Sequence, residues 1–270
     1  MIMRHAWLLS MLLAGCDIVY GLDERLPPEA RPGDEDGDGT LDDEDSCPHL
    51  ANESSTDRDD DNIAIDCDPD DNDPTTMFRW FPLTAGSIDE LRLDGIGKLA
   101  DDGFVLGDHD GHSALVFDVD ADTAIIDVGF EILSSSVEDD HFFDWSEIGV
   151  TTVHRAFTTD RTQRGDTCFY GVNADPKLDP PVGDAYLEMN EDDAPEPSVS
   201  FASPVNGTVG RLHEQRTPDE VVCSVVRTNT TTPTLSFTPE ALSNTSGKIA
   251  ITAERMVAKL TYAWIAWQPL

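Results

Sequence analysis

The chain carries little positive charge. Its 270 residues include 17 Lys and Arg against 54 Asp and Glu, which gives a formal net charge of −37 at pH 7. This balance excludes nucleic acid as a natural partner, because the phosphate contacts that dominate such binding would be repulsive. The charge suits cations, and cationic surfaces or polymers, instead.

Several patterns that mark enzymes and membrane-spanning proteins are also missing. The sequence has no G-x-S-x-G elbow, Walker loop, dinucleotide fingerprint or C-x-x-C pair, and His213-Glu214 lacks the second His of a zincin. Its longest apolar run near the N-terminus, residues 6–13, is shorter than the ~20 residues that cross a bilayer. Helical periodicity is almost absent. Redox catalysis, a zinc ribbon and a membrane-spanning segment are therefore not expected.

Acidic residues are concentrated between residues 34 and 73, where eighteen of them accompany a single basic residue, Arg58. Carboxylates occupy positions 1, 3, 5, 9 and 12 counted from Asp34, with Gly39 at position 6, and a second array starts at Asp57. Ca²⁺ takes six to eight oxygen ligands, and alternate side chains around a sharp glycine turn supply them. An acidic linker would instead stay extended by repulsion, but the ordered spacing favours metal binding. The predicted ligands are Asp34, Asp36, Asp38, Thr40, Asp42, Asp45, Asp57, Asp59, Asp61, Asp66 and Asp68.

This stretch resembles thrombospondin type 3 repeats, in which D-x-D-x-D-G precedes a Cys-Pro pair and a second aspartate array ends in Cys-Asp. Residues 34–48 match the first half, Asn52 matches the family's Asn, and Asp57, Asp59, Asp61, Cys67 and Asp68 match the second. The departures are Asn62 and Ala64 in place of Gly, and Ile65 in place of Asp. The resemblance implies several Ca²⁺ ions wrapped by a segment with almost no apolar core. An EF-hand or dockerin would need a helix after the first loop, and Cys47-Pro48 ends a helix instead.

The N-terminus has the features of a targeting segment. Arg4 and His5 precede the apolar run, and small residues follow it, as in a signal peptide covering residues 1–15. The sequence Leu13-Ala14-Gly15-Cys16 resembles the lipobox of bacterial lipoproteins, which implies cleavage before Cys16 and lipid attachment to it. An ordinary secretory signal with a chance cysteine is the alternative. Residues 16–33 are proline-rich and charged, and are predicted to be a disordered tether.

Four cysteines remain if Cys16 carries lipid. An even number in an exported chain predicts two disulfides. Three pairings are formally open, and a domain boundary between the two pairs favours Cys47–Cys67 and Cys168–Cys223. The predicted domains are then an acidic calcium-binding repeat over residues 34–74 and a larger domain over residues 77–270.

The larger domain is predicted to be mainly β. Apolar runs rich in β-branched and aromatic residues alternate with Gly, Pro, Asn and Asp, which is typical of an antiparallel two-sheet sandwich. The predicted strands are residues 113–119, 123–133, 148–153, 167–172, 185–189, 221–227, 234–237, 248–252 and 257–267. Their order, with a Gly before Lys248 and a last strand ending near Trp264, resembles the laminin-G/concanavalin A-like jelly roll. That resemblance implies a concave sheet face or rim loops that bind glycans, often beside Ca²⁺.

Three features of this domain bear on its chemistry. Asp108, His109, Asp110 and His112 form a cluster able to hold a ligand or a metal such as Zn²⁺ or Ca²⁺, although a polar turn explains it equally well. Residues 191–196 spell the E-x-D-x-x-E pattern of laminarinase-like glucanases, but their prolines predict a loop without catalysis. Trp264 and Trp267 should face opposite sides of one strand, one in the core and the other packed or free to stack on a sugar.

These observations predict an exported, lipid-anchored protein of the bacterial cell envelope, located at the outer membrane, on its periplasmic side or on the cell surface. A calcium-binding stalk would carry a β-sandwich head that is not an enzyme. The head is expected to act as a binding or adhesion module for a glycan or a surface protein. A purely structural envelope component and, less favoured, a glycan hydrolase are the alternatives.

Overall fold

The computed structural model describes residues 33–34, 36–51, 56–83, 88–119, 121–137, 145–154, 167–173, 184–190, 197–201, 205–227, 234–237 and 248–269. The chain divides into two compact units, Met1–Glu53 and Ser54–Leu270. The division falls inside the acidic segment 34–74, so the aspartates from Asp57 onward belong to the same unit as the large domain. Within the described ranges, no helix is long and apolar enough to cross a membrane.

The described part of the large domain consists of strands and connecting turns, without helices. Its strands are β1 (Met77–Phe81), β2 (Arg92–Asp94), β3 (Gly97–Ala100), β4 (Gly103–Leu106), β5 (His112–Phe117), β6 (Ala121–Ser135), β7 (Trp145–His154), β8 (Thr167–Asn173), β9 (Asp184–Asn190), β10 (Ser198–Phe201), β11 (Val209–Arg216), β12 (Val221–Arg227), β13 (Thr234–Phe237), β14 (Lys248–Glu254) and β15 (Met256–Pro269). The predicted mainly-β class is confirmed.

Two antiparallel sheets form the domain, as predicted. The eight-stranded sheet has the order β13-β12-β11-β6-β15-β4-β3, and β1 also pairs with β15. The seven-stranded sheet has the order β10-β9-β8-β7-β14-β5-β2. Strand β15 is long enough to pair with β6 along one side and with both β4 and β1 along the other.

The core lies between the two sheets and follows the alternation of each strand. In β6, alternate residues from Ala124 to Ile132 face inward, and in β15 the inward set includes Ala263, Ile265 and Trp267. The inward residues of β7, β8 and β14 come from the other sheet, and they complete one continuous apolar cluster. Burying one face of each sheet is what fixes strand register, since a one-residue slip would turn every side chain around.

A disulfide joins the two sheets. Cys168 of β8 and Cys223 of β12 are bonded, with their Cα atoms 5.5 Å apart, and both side chains are fully buried. Glu214 of β11 lies beside this bridge, since it pairs with Cys223 across the eight-stranded sheet. Its carboxylate accepts hydrogen bonds from the backbone N–H and hydroxyl of Thr152 and from the backbone N–H of Cys168, both in the opposite sheet. The two sheets are therefore linked covalently and by a buried polar group.

Candidate functional site

The first acidic loop, residues 34–45, is folded around its own aspartates. The carboxylates of Asp36 and Asp38 each accept a hydrogen bond from the backbone N–H two residues later, at 3.0 and 2.7 Å, and Asp34 accepts one from Gly39 at 3.4 Å. Gly39 has φ +101°, in the left-handed region that glycine enters at little cost. Ligand oxygens of Asp34, Asp36 and Asp38 all lie within 4.8 Å of one another. The loop therefore brings three predicted ligands together.

The second acidic loop, residues 57–68, repeats this arrangement. Oxygens of Asp57, Asp59 and Asp61 form another group within 4.8 Å, and Asp57 accepts from the backbone N–H of Asn62 at 2.8 Å. Asn62 stands where the repeat family has Gly, and it adopts φ +73°. Asn is one of the few L-residues that tolerate this conformation, so the substitution preserves the turn. Within the described residues, these two triads are the only groups of three or more acidic, His or Cys side chains close enough to share a metal.

Several carboxylate oxygens in the loops lack a protein donor. Oδ2 of Asp36, of Asp61 and of Asp68 is buried without a hydrogen-bond partner, and Asp68 is only 9% exposed. Burial, together with the negative charge of neighbouring aspartates, raises the pKa of Asp36 and of Asp68 from 3.8 to about 6. Crowded, partly desolvated oxygens without donors are the ligands that a hard divalent cation prefers. The residues of both loops therefore fit Ca²⁺.

The other predicted ligands lie around the triads rather than in them. Asp45 uses Oδ1 to accept from the backbone N–H of Cys47 at 2.8 Å, and burial, ahead of the charges of nearby aspartates, raises its pKa. Thr40 and Asp66 are exposed, and Asp42 is half-buried. The structure thus brings together six of the eleven predicted ligands as two triads.

The acidic loops contain two buried cysteines and two buried apolar residues. Cys47 and Cys67 are both disulfide-bonded and buried. Ile63 and Ala64, which precede the departure at Ile65, are fully buried as well. The signal segment 1–15, the lipobox Cys16, the tether up to residue 32, Asn52 and the glucanase-like residues 191–196 lie outside the described residues.

The histidine cluster forms the turn between β4 and β5. Asp108 accepts hydrogen bonds from the backbone N–H groups of Asp110 and Gly111, at 3.1 and 2.7 Å, which closes the turn. Its two histidines point to different neighbours: Nε2 of His109 lies 2.7 Å from the Ser134 hydroxyl, and Nδ1 of His112 lies 3.0 Å from Glu254. Among the described residues, these side chains do not form a group close enough to share a metal ion.

A row of polar groups crosses the outer face of the seven-stranded sheet. Register places Glu254, Glu147, Gly171 and Tyr186 side by side on β14, β7, β8 and β9. The Tyr186 hydroxyl donates to Glu147, and burial raises the pKa of Glu147 from 4.5 to about 8. Glu147 lies just before the predicted strand 148–153, and no sequence pattern indicates this row. It depends on pairings between distant strands.

A shallow cavity of about 330 Å³, broadly open to solvent, lies between the second acidic loop and β1, inside the second unit. It is lined by Asp61, Thr76, Met77, Phe78, Arg79 and Trp80. The segment that follows this loop is held to the end of β15 by Gln268, whose side-chain amide donates to Asp70 and Asp73 at 3.3 and 3.4 Å. One member of an aspartate triad therefore faces an aromatic strand.

The two C-terminal tryptophans face opposite sides of β15. Trp267 belongs to the core and meets Phe117 edge to face, with ring centroids 5.2 Å apart. Trp264 faces outward, yet it is fully buried and stacks on Phe78 at 4.9 Å. Both residues therefore pack within the protein, and neither ring is free to stack on a sugar.

Comparison with solved structures identifies the fold. The exoplasmic/lumenal domain of VIP36, in its Ca²⁺/Man3GlcNAc-bound form, matches with a TM-score of 0.51 at 9% identity, over 73% of this chain and 89% of that one. Peanut lectin with a nine-residue peptide matches with a TM-score of 0.50 at 12% identity, over 71% of this chain and 97% of that one. The predicted concanavalin A-like jelly roll is thereby confirmed as a fold of the legume-lectin kind. No protein-family model and no curated protein sequence matches the chain.

Proposed function

We propose that this chain is an exported, lipid-anchored calcium-binding protein whose sandwich recognises glycans. The observation that carries the proposal is the pairing of a legume-lectin-like sandwich with two aspartate triads whose neighbours include buried, donor-free oxygens. Glycan recognition is supported by the mannose-containing ligand and the Ca²⁺ of the VIP36 structure, which shares the fold. The test is a glycan-array screen of the full chain, with Ca²⁺ and with a chelator.

Calcium would be held by Asp34, Asp36 and Asp38 in the first loop and by Asp57, Asp59 and Asp61 in the second. When bound, the cation replaces repulsion between neighbouring carboxylates with shared coordination, which couples metal uptake to folding of the loops. Calorimetry should show Ca²⁺ uptake that falls in Asp36→Ala and Asp38→Ala. The matched control is Asp43→Ala, which removes the same charge from an exposed position in the same loop. No uptake at millimolar Ca²⁺ would contradict the calcium assignment.

Recognition without turnover is the second part of the proposal. In a glycosidase, a carboxylic acid and a carboxylate flank the scissile bond from opposite sides of an open cleft. Glu147 is instead buried under a hydrogen bond from Tyr186, and Glu254 is engaged by His112. The full chain should therefore release no reducing sugar from polysaccharides that it retains. If the wild-type chain releases reducing sugar and Glu147→Gln or Glu191→Gln abolishes that release, the protein is a hydrolase and not a binding module.

Lipid anchoring rests on the lipobox at Cys16. The Cys16→Ala variant should leave the membrane fraction or accumulate unprocessed, whereas wild-type protein should partition into detergent. Membrane association that persists in this variant after its signal segment has been cleaved, or a wild-type protein whose Cys16 thiol is free, would contradict the anchor. A purely structural envelope role is the competing function. It would leave calcium uptake intact and the glycan array blank.

A further inference from the structure

The cavity beside β1 combines apolar and polar groups in one small space. Met77, Phe78 and Trp80 provide apolar surface, while Thr76, Arg79 and Asp61 provide a hydroxyl, a guanidinium and a carboxylate. Its volume, about 330 Å³, lies at the lower end of the roughly 300–1,000 Å³ that small-molecule sites occupy. An apolar floor with a few polar groups is the usual composition of such sites.

The aromatic floor is fixed in place by the sheet behind it. Phe78 stacks on Trp264 at 4.9 Å with an interplanar angle of 28°, and Trp80 stacks on Tyr262 at 5.2 Å and 29°. Trp264 is fully buried, and all five residues of β1 pair with β15. A ligand that packs against Phe78 or Trp80 therefore meets rings that lose little freedom on binding, which favours affinity.

Charge around the cavity selects against ionic ligands. The Arg79 guanidinium lies beside a carboxylate, with Nε 3.3 Å from Glu90, and Nη1 donates to the Phe78 carbonyl at 2.9 Å, so its positive charge is partly offset next to the cavity. Asp61 belongs to the second triad. A cation held there would offset its negative charge, so Asp61 would attract a positively charged ligand only weakly. What remains is a neutral molecule with one apolar face and several hydroxyls. A pyranose ring fits this description, because its C–H face packs on an aromatic ring while its hydroxyls bond carboxylates and cations.

We propose that the cavity lined by Asp61, Phe78 and Trp80 binds a neutral saccharide, with the second acidic loop forming one wall. This inference rests on the proposed glycan-binding function and adds the position of the site, on β1 and the loop rather than on the histidine turn. Because Asp61 serves both the triad and the cavity, cation binding and saccharide binding are coupled. Chelation should therefore weaken saccharide binding, and saccharide should strengthen Ca²⁺ uptake.

The experiment starts from the array glycan that the full chain retains best in millimolar Ca²⁺. Its affinity is then measured for wild type, Trp80→Ala and Met77→Ala. We expect a loss of about tenfold in Trp80→Ala, because an aromatic face would be removed, and a smaller loss in Met77→Ala. Met77 is 42% exposed, so its truncation leaves folding intact and keeps the test valid if Trp80→Ala unfolds. The control is Leu99→Ala, which removes an equally exposed apolar side chain from β3, outside the cavity lining.

The outcomes separate this inference from the proposed function. Retained glycan whose affinity is unchanged in both cavity variants would overturn the cavity assignment and leave glycan recognition standing. An array that retains no glycan would overturn both. Binding of choline, used as a cationic probe, in preference to every neutral sugar would also overturn the inference, since it would mean that the cavity acts as a cation cage.

Discussion

The acidic loops and the sandwich handle carboxylates in opposite ways. In the loops, aspartates crowd together, accept backbone hydrogen bonds on one oxygen and leave the other without a donor, as in Asp36 and Asp68. In the sandwich, Glu214 accepts hydrogen bonds from three protein donors and Glu147 from the Tyr186 hydroxyl, and burial raises the pKa of each from 4.5 to about 8. The first arrangement leaves oxygens open to the proposed cation, whereas burial in the second favours the protonated carboxyl.

The folded forms of the two regions should therefore be stabilised by different interactions. The loops bury few apolar side chains, chiefly Ile63 and Ala64, and hold many carboxylates, so their folded form should depend on the proposed calcium, which neutralises charge. The sandwich depends on its apolar core, the inter-sheet disulfide and a few buried polar contacts. Changes to the disulfide or to buried groups between the sheets should therefore leave calcium uptake unaffected.

The largest effect should come from removing the bridge between the sheets. Cys168 and Cys223 close a loop with a sequence separation of 55, which corresponds to about 4 kcal/mol from restricting the unfolded chain. The double variant Cys168→Ala/Cys223→Ala should lower the unfolding free energy of the sandwich by up to that amount in urea denaturation. Calcium uptake should be unchanged. A parallel loss of calcium uptake would break the comparison, because it would make the loops depend on the sandwich core.

Glu214 gives the sandwich a pH dependence that does not involve calcium. Burial raises its folded pKa to about 8, above the ordinary value of 4.5, so the folded state binds an extra proton between these values. The contribution of this group to stability is fully present below pH 4.5 and is lost as pH rises through 8. The Glu214→Gln variant should therefore show a shallower decline in unfolding free energy from pH 5 to 8 than wild type.

The control for this measurement is Glu220→Gln, at an exposed position. It should keep the wild-type slope, as measured by urea denaturation at fixed Ca²⁺. An unchanged slope in Glu214→Gln would mean that the hydrogen bonds from Thr152 and Cys168 keep the carboxylate ionised in the fold.

The smallest effect concerns the turn in the second acidic loop. Asn62 adopts φ +73°, a conformation that costs an ordinary L-residue roughly 1–2 kcal/mol. The Asn62→Ala variant should weaken Ca²⁺ uptake at the second loop by up to about tenfold, whereas Asn62→Gly should keep it close to wild type. Calorimetric titration of both variants measures the difference. Equal losses in the two would show that the Asn side chain itself, rather than its backbone conformation, supports the loop.

Most of the sandwich was predictable because its strands follow a simple alternation. The predicted strand 221–227 and the predicted 234–237 coincide with β12 and β13, and 167–172 differs from β8 by one residue. Strand β11 was missed, although it lies in the middle of the eight-stranded sheet. Its inward positions include Glu214 and Arg216, and sequence patterns assign charged residues to surfaces or loops. The exception is possible because the opposite sheet supplies the donors to Glu214.

The candidate sites divide in the same way. The aspartate triads were predictable, because a metal loop of this kind is encoded within about twelve consecutive residues. The row through Glu147 and Tyr186 and the cavity under Trp80 were not, since each depends on pairing between strands far apart in sequence. Asn62 departs from the Gly of the repeat pattern, yet it adopts the left-handed backbone conformation that the turn requires.

The position of β15 has a consequence for the order in which this protein can fold. β15 follows every other described strand in the chain, yet it lies inside the eight-stranded sheet, between β6 on one side and β4 and β1 on the other. During synthesis, β1, β4 and β6 emerge without the neighbour that joins them, so the sheet cannot close until β15 has left the ribosome. Such late, long-range closure slows folding.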